Sequence, residues 1–247
     1  MDPVRAVVFA IALVVASFSA LPARAAETVR IAFQTDFAPF VFVKGGKPEG
    51  LIVDILDAAA ARENIAITYV PVPFAELDAT LTDGRADAIT PLAVTPDRRK
   101  IYDFSATLVF TGGALFVRAP NATPAGLAAL AGKSVATPKT GPFVDYIRKT
   151  APQAHLVITR DYPTSFADVI DGTVDAAALN LQVGAGMAAA SYSGKVTIPE
   201  TMFTPKLAYA VAVIKGRHTG FLKALDAGIE AVAADGTLKK IEGKWRK

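Results

Sequence analysis

The residue best suited to bind a small anion is Arg98, which follows Thr95 and Pro96 where the sequence favours the start of a helix. A guanidinium group can hold a carboxylate through two parallel charge-assisted hydrogen bonds, a geometry that lysine does not provide. Arg98 also begins a basic run with Arg99 and Lys100, so a solvated surface role is the alternative. The residues alone leave both interpretations open.

A second candidate for anion binding is the turn Lys139-Thr140-Gly141, which lies between a predicted strand and a predicted helix. Free backbone N–H groups and the Thr140 hydroxyl can face an anion at such a turn. The alternative is that Thr140 only caps the following helix. The two roles are compatible.

The sequence lacks the patterns of several function classes. It has no cysteine, and its two histidines, His155 and His218, stand in no partner motif, so neither a Ser/His/Asp set nor a zinc site is indicated. The formal net charge is only +3, and no basic run is interleaved with aromatic residues. We therefore expect no catalysis, metal, cofactor or nucleic-acid partner.

The N-terminus predicts a secretory signal peptide over residues 1–25. Arg5 precedes an apolar run from Ala6 to Ala20, and Ala23-Arg24-Ala25 provides a small-residue cleavage site. The run is about 15 residues long, short of the roughly 20 that a membrane helix needs, so an uncleaved anchor is the weaker alternative. Without cysteine, neither disulfides nor lipid modification are expected. We predict a freely diffusing periplasmic protein.

The rest of the chain alternates between strand and helix patterns in two successive series, which predicts parallel sheets with right-handed crossovers. The first series has strands near 29–33, 67–70 and 87–89 and helices near 52–62 and 76–82. The second has strands near 134–137 and 156–158 and helices near 143–150 and 165–170. An apolar strand at 206–214 and two C-terminal helices follow.

A short sequence recurs at matching points of the two series. Asp83-Gly84-Arg85-Ala86-Asp87-Ala88 is repeated as Asp171-Gly172-Thr173-Val174-Asp175-Ala176, where a helix ends, the chain turns at glycine and a strand begins. Asp-Gly after a helix is also ordinary capping chemistry. Its position in both series favours two similar α/β units with a ligand cleft between them.

Six segments in this order resemble the periplasmic solute-binding proteins for polar amino acids, the family 3 proteins that include glutamine- and histidine-binding proteins. These segments are Pro39-Phe40, Gly50-Leu51-Ile52-Val53-Asp54-Ile55, 95–100 with 103–105, 130–135, 172–176, and 235–238 with 244–245. The resemblance covers nearly the whole chain after residue 25.

The resemblance implies the two-lobed periplasmic binding protein fold of type II. Each lobe would be a mixed, mainly parallel sheet with helices on both faces, and two crossover strands would form the hinge. One lobe would comprise residues 26–108 and 208–247, and the other residues 111–203. The implied function is capture of an amino acid or related small carboxylate by hinge closure, as a monomer that delivers the ligand to the permease of an ABC importer.

The resemblance also implies roles for individual residues. Arg98 would anchor the ligand carboxylate, and the turn at Lys139, Thr140 and Gly141 would complete that site. Among the aromatic residues, Phe37 would cover the aliphatic part of the ligand, Phe40 would lie at the same rim, and Phe74 would form a second wall. An alternative for Phe74 is a plain core position.

Two positions depart from the family pattern. Ala93 stands where Thr or Ser commonly helps to hold the carboxylate, although the nearby Pro91 carbonyl can still face an amine. Asn180 stands where amino-acid binders usually carry an Asp that pairs with the α-ammonium. Burying an unpaired ammonium costs several kcal/mol. The ligand is therefore a carboxylate without a primary amine, one with a substituted amine, one that pairs with Asp36 or Asp161, or an amino acid bound less tightly.

Two other functions use the same fold. A dehydratase of aromatic amino-acid biosynthesis needs a general acid after the Asn180 position, but Leu181, Gln182, Val183 and Gly184 supply none. A sensory domain for a kinase or cyclase is normally followed by a membrane helix, and the sequence ends at Lys247. Delivery to a separate receptor remains compatible with the sequence.

Overall fold

The computed structural model describes residues 27–245, so the predicted signal peptide lies outside the described residues. The strands are β1 (Glu27–Gln34), β2 (Asp36–Phe37), β3 (Val41–Lys44), β4 (Lys47–Glu49), β5 (Ile65–Val72), β6 (Ala88–Ala93), β7 (Tyr102–Phe104), β8 (Val109–Thr111), β9 (Gly113–Arg118), β10 (Ser134–Pro138), β11 (His155–Thr159), β12 (Ala176–Asn180), β13 (Val196–Thr197) and β14 (Leu207–Ile214). The helices are α1 (Leu51–Arg62), α2 (Leu77–Thr82), α3 (Phe143–Thr150), α4 (Tyr162–Asp171), α5 (Leu181–Ser191), α6 (Thr219–Ala234) and α7 (Thr237–Trp245). Within the described range, none of them is long and apolar enough to span a membrane.

Two mixed sheets organise the structure. The first has the order β5-β1-β6-β14-β7, with β8 also paired to β14, and only β14 runs against the other strands. The second has the order β11-β10-β12-β9-β13, and only β9 runs against the others. The predicted α/β fold with two mixed, mainly parallel sheets is confirmed.

The chain passes between the two sheets twice. Strand β8 belongs to the first sheet and β9 to the second, so the first passage lies at 111–113. The second passage lies between β13 and β14. The first sheet therefore takes strands from both ends of the chain. The division into lobes at 26–108 with 208–247 and at 111–203 stays a prediction.

The central strands are buried along their whole length because helices cover both faces of each sheet. Every residue of β6 and of β12 is buried. The apolar face of α1, which includes Ile52, Ile55 and Leu56, packs against the first sheet and α6. Apolar burial of this kind supplies the main stabilising free energy in a chain without disulfides.

The repeated Asp-Gly sequences form equivalent turns. Gly84 and Gly172 follow α2 and α4 and adopt φ angles of 72° and 79°, which residues with a Cβ atom rarely adopt. Each turn returns the chain to a central strand, β6 or β12. The sequence-based interpretation of these two turns is correct.

Several parts of the fold were not predicted, including the strands β7, β8, β9 and β13 and the two parts described next. Residues 36–49 form a three-stranded antiparallel sheet of β2, β3 and β4. Helix α5 follows Asn180 directly, and its Ala/Gly-rich sequence has no apolar periodicity to indicate a helix. Gly184 within α5 packs so closely on Phe116 that a Cβ atom would lie 2.5 Å from the ring. The small residues of α5 therefore allow this helix to pack closely on β9.

A similar close approach joins α1 to α6 and yields a stability prediction. A Cβ atom at Gly228 would lie 2.3 Å from the Ala59 carbonyl oxygen, a backbone atom that cannot rotate away. We expect Gly228→Ala to lower the free energy of unfolding by about 1–3 kcal/mol.

Gly220 in the same helix is the matched control, because a Cβ atom there meets nothing within 4 Å. Gly220→Ala should leave stability unchanged or raise it by at most about 1 kcal/mol. Urea unfolding of both variants measures the difference. Equal effects at the two positions would show that the α1–α6 contact does not limit stability.

Candidate functional site

A small cavity lies between residues of the two sheets, beside the carboxyl ends of β1 and β6. We call it the aromatic cavity because rings of Phe37, Phe74, Tyr162 and Tyr209 line it. Its other lining residues include Gln34, Pro91, Ala93, Arg98, Thr140 and Gly141. Its volume is about 20 Å³, which is room for about one water molecule. The cavity thus gathers most of the predicted site residues.

Arg98 bridges the two halves of this site. Its Nη1 donates to the Ala93 carbonyl at 3.1 Å, and its Nη2 donates to the Thr140 carbonyl at 2.8 Å. Ala93 ends β6 of the first sheet, whereas Thr140 follows β10 of the second. The guanidinium therefore spans the cleft and already points its two Nη atoms at oxygen acceptors.

The charge of Arg98 has no anionic partner among residues 27–245, because no Asp or Glu forms an ion pair with it. Burial lowers the pKa of Arg98, and the nearby Tyr209 and Asp78 partly oppose this effect. An arginine nevertheless stays charged at neutral pH. A half-buried cation held only by neutral carbonyls is well placed to receive an anion.

Arg98 differs from the two basic residues that follow it. All three form a single 3₁₀ turn, Arg98–Lys100, after β6 has ended. Arg99 and Lys100 are exposed, whereas Arg98 turns inward, and its backbone N–H donates to Thr95 Oγ1 at 3.3 Å. The interpretation of Arg98 as part of a solvated basic run is therefore not supported by its position.

The turn at 139–141 does not present a set of free N–H groups. The Lys139 N–H donates to the Thr159 carbonyl and the Gly141 N–H to the Pro138 carbonyl, both at 3.2 Å. The Thr140 carbonyl faces Arg98 instead. The helix α3 has Pro142 at its N-cap and no side-chain cap, so capping by Thr140, the alternative role, is wrong.

Of the predicted aromatic residues, two line the cavity and one lies behind it. Phe37 and Phe74 line the cavity, whereas Phe40 lies behind Phe37 with the ring centroids 5.6 Å apart. The ring of Phe37 also lies 6.1 Å from that of Tyr209. Phe40 thus supports the wall, and Phe74 is half-buried at the start of its 3₁₀ turn.

Sequence reasoning missed Tyr162 and Tyr209, which complete the aromatic lining. Tyr162 begins α4, and Tyr209 lies in β14. Burial raises the pKa of both tyrosines, so both hydroxyl groups stay protonated at neutral pH. The sequence signal that could have identified Tyr209 is its place in the otherwise apolar strand 207–214. A buried phenol usually needs a polar partner, so a tyrosine there indicates a polar site.

Asn180 lies directly behind these two tyrosines and is fully buried. Its Oδ1 accepts from the Val183 N–H and the Thr111 hydroxyl, both at 3.2 Å, and its backbone N–H donates to Tyr162 Oη at 3.1 Å. Its Nδ2 is buried with no acceptor in hydrogen-bonding geometry. The side chain lies against Tyr209, where it opposes the effect of burial on the tyrosine pKa. Asn180 therefore directs a donor at Tyr209, and its acceptor oxygen is already occupied.

Asp36 and Asp161 face an adjoining cavity of about 10 Å³ that shares Gln34, Phe37, Phe74 and Tyr162 with the aromatic cavity. Burial of the Asp161 carboxyl is outweighed by hydrogen bonds from Thr164 and Arg160, so its pKa is lowered. Partial removal of water by the surrounding protein raises the pKa of the Asp36 carboxyl, although the residue is exposed to solvent. The negative charge of Asp161 adds to this rise. Neither carboxylate lines the aromatic cavity, and Arg98 does not line the adjoining one.

Lys139 lines a different and larger cavity. This cavity, about 460 Å³, lies on the other side of the Arg98–Thr140 hydrogen bond and is also lined by Asp97, Asp145 and Lys149. Lys149 Nζ lies 3.4 Å from Asp97 Oδ2, an exposed ion pair between the two halves. Within the part of the chain that is described, His, Asp and Glu residues form no cluster suited to a metal ion.

Comparison with known proteins identifies relatives over almost the whole chain. A putative amino-acid ABC transporter-binding protein of Vibrio harveyi is 30% identical over 244 residues, covering 95% of each chain. An ancestral arginine-binding protein bound to glutamine has 26% identity and a TM-score of 0.79, with 89% of this chain and 97% of that chain covered. A histidine kinase sensor domain shares the fold with a TM-score of 0.82 at 22% identity, over 90% of this chain and 97% of the other.

The fold and these relatives agree with the match to a family model. That model, the bacterial extracellular solute-binding proteins of family 3, matches residues 29–247. The match includes both passages between the sheets and all residues of the aromatic cavity. The chain belongs to the bacterial extracellular solute-binding proteins, family 3.

Proposed function

We propose that this protein is the periplasmic binding component of an ABC importer and captures an amino acid or a related small carboxylate in the aromatic cavity. The signal peptide at 1–25 would direct its export, and it would act as a monomer that delivers the ligand to a membrane permease. The observation that carries the proposal is Arg98, a half-buried cation at the cleft with two aligned Nη donors and no anionic partner within residues 27–245.

The names of the relatives support the ligand class. The Vibrio harveyi relative is described as an amino-acid ABC transporter-binding protein, and an Escherichia coli relative with 26% identity as an arginine-binding protein. A carboxylate is the group that amino acids share and that a guanidinium holds in a bidentate geometry. The fold alone does not separate transport from sensing, since a histidine kinase sensor domain shares it.

The composition of the aromatic cavity supports binding rather than catalysis. Its lining contains no Asp, Glu or His. The hydroxyl groups of Tyr162 and Tyr209 are poor proton donors because burial raises the pKa of both. A dehydratase needs a general acid whose pKa lies near the working pH. The lining supplies none.

The size of the cavity supports a hinge mechanism. A volume of about 20 Å³ is far too small for an amino acid, so the lobes must separate to admit one and then close around it. The proposed lobes are 26–108 with 208–247 and 111–203. The exposed ion pair Lys149–Asp97, which joins the two proposed lobes, contributes only about 0–1 kcal/mol and therefore opposes opening little.

The first test removes the anchor. Arg98→Ala should weaken binding of the best carboxylate ligand by at least about 30-fold, since removing one partner of a buried charged pair costs roughly 2 kcal/mol or more. Isothermal titration calorimetry measures the change. The ligand is first found by thermal shift against amino acids, betaines and simple carboxylates.

Arg99→Ala is the matched control, because Arg99 is the exposed neighbour in the same turn. It removes the same charge from the same 3₁₀ turn and should change affinity by less than about threefold, given screening by solvent. Equal losses in the two variants would contradict a specific carboxylate anchor. Full affinity in Arg98→Ala would contradict the proposal itself.

The second test measures closure. Lys100 and Lys149 contact the same carboxylate, Asp97, from opposite lobes, with Nζ–Oδ distances of 2.6 and 3.4 Å. The chain has no native cysteine, so a Lys100→Cys/Lys149→Cys variant can carry two pyrene labels at defined positions. We expect ligand to increase excimer emission because closure brings the labels together.

A label pair within one lobe controls for direct effects of the ligand on pyrene. Glu76 and Arg85 form an ion pair with a 3.7 Å separation inside the first lobe. A Glu76→Cys/Arg85→Cys variant should give excimer emission that ligand does not change. A ligand response in this pair, or none in the pair that spans the cleft, would count against hinge closure.

A further inference from the structure

We infer that the preferred ligands of this protein are small carboxylates that carry a fully substituted ammonium group, of which N,N,N-trimethylglycine is the simplest. The inference deepens the proposed function and rests on it, because it specifies the group at the other end of a carboxylate held by Arg98. Three features of the aromatic cavity and the residues behind it point to this chemistry.

The first feature is the shortage of acceptors for a primary ammonium. Such a group has three N–H donors that need partners when they leave water. The cavity lining has no carboxylate, so its remaining acceptors, such as the Gln34 side chain and the Pro91 carbonyl, carry no negative charge. The Tyr162 hydroxyl oxygen already accepts the Asn180 N–H. A quaternary ammonium has no N–H group and does not incur this cost.

The second feature is the orientation of Asn180. Its Oδ1 receives the Val183 N–H and the Thr111 hydroxyl, and this fixes the amide so that the donor Nδ2, and not an acceptor, faces Tyr209. A donor behind the two tyrosines cannot pair with an ammonium N–H through them. An aspartate at the same position would offer a negative charge. Asparagine at position 180 therefore disfavours a primary ammonium for two reasons. It lacks the negative charge of an aspartate, and it presents a donor where an aspartate would present an acceptor.

The third feature is the aromatic lining. Phe37, Phe74, Tyr162 and Tyr209 come from four separate segments and surround one cavity. The faces of aromatic rings attract cations, and groups of such rings recognise quaternary ammonium ions. Two carboxylates, Asp36 and Asp161, line the adjoining cavity, which shares Phe37 and Phe74 with the aromatic cavity. They can attract a cation electrostatically without direct hydrogen bonds to it.

The experiment compares matched ligands with the purified wild-type protein by calorimetry. The series runs from glycine through N-methylglycine and N,N-dimethylglycine to N,N,N-trimethylglycine, with L-proline and N,N-dimethyl-L-proline as a second pair. We expect affinity to rise with methylation and to differ by at least about 10-fold between the ends of each series. Equal or tighter binding of the primary or secondary amine, or no binding of any methylated member, would overturn the inference.

A neutral isostere separates charge from shape. In 3,3-dimethylbutanoate a carbon atom replaces the nitrogen of N,N,N-trimethylglycine, so the size is kept and the positive charge is lost. Cation–π attraction predicts that the isostere binds at least about 10-fold more weakly, in line with the measured strength of desolvated contacts of this type. Equal affinities would overturn recognition of a cation by the rings.

Two variants test the residues. Phe74→Leu should weaken N,N,N-trimethylglycine binding by about 10-fold. Phe42→Leu is the control and should not, because Phe42 is a half-buried phenylalanine that packs against Trp245 outside the cavity.

Asn180→Asp should shift the ratio of the affinities for glycine and N,N,N-trimethylglycine toward glycine by at least about 10-fold. Aspartate is as good a helix cap as asparagine, so α5 should be retained, and circular dichroism checks this. An unchanged ratio would contradict the assigned role of Asn180.

The outcomes separate this inference from the proposed function. If unmethylated amino acids bind tightly and need Arg98 while the methylated ligands do not bind, the inference fails and the capture of amino acids stands. If no carboxylate binds, or if the carboxylates bind equally well to Arg98→Ala, the proposed function fails as well. Affinity that rises with methylation and depends on Arg98 supports both.

Discussion

The guanidinium of Arg98, held between the Ala93 and Thr140 carbonyls, is the interaction on which the rest of the site depends. One carbonyl ends a strand of the first sheet, and the other follows a strand of the second, so the side chain joins the two halves of the molecule. A ligand carboxylate is a stronger acceptor than either carbonyl, because an ionised acceptor forms shorter and stronger hydrogen bonds. In the proposed function, ligand capture and closure are therefore linked at one side chain.

Around Arg98 the chain has the fold of its family, and the proposed binding pocket departs from the family pattern expected from the sequence at two positions. Ala93 contributes a carbonyl and no hydroxyl, and Asn180 directs its donor Nδ2 at Tyr209. The rings of Tyr162 and Tyr209 stand between Asn180 and the cavity. The pocket thus combines one cation, aromatic walls and few acceptors, which suits a ligand with a carboxylate at one end and a weakly hydrated cation at the other.

Local sequence predicted the elements whose signals are local. Helix α3 was placed correctly at 143–150 because its apolar residues have a clear helical period, and the Asp-Gly turns depend on a glycine with positive φ. Helix α5 was missed because alanine and glycine give no such period. Tyr162 and Tyr209 were missed because only the folding of distant segments brings them to one cavity. The Thr140 carbonyl was missed for a similar reason, since a backbone acceptor leaves no mark in the sequence.

A crystal structure of the protein with its tightest small-molecule ligand tests the central claim most directly. The account predicts both carboxylate oxygens within about 3 Å of the Arg98 Nη atoms, which is the distance of charge-assisted hydrogen bonds, with the Thr140 carbonyl displaced from Nη2. The cationic group should lie against Phe37, Phe74, Tyr162 and Tyr209. A ligand whose carboxylate lies elsewhere, while Arg98 keeps both carbonyl partners, would contradict the account.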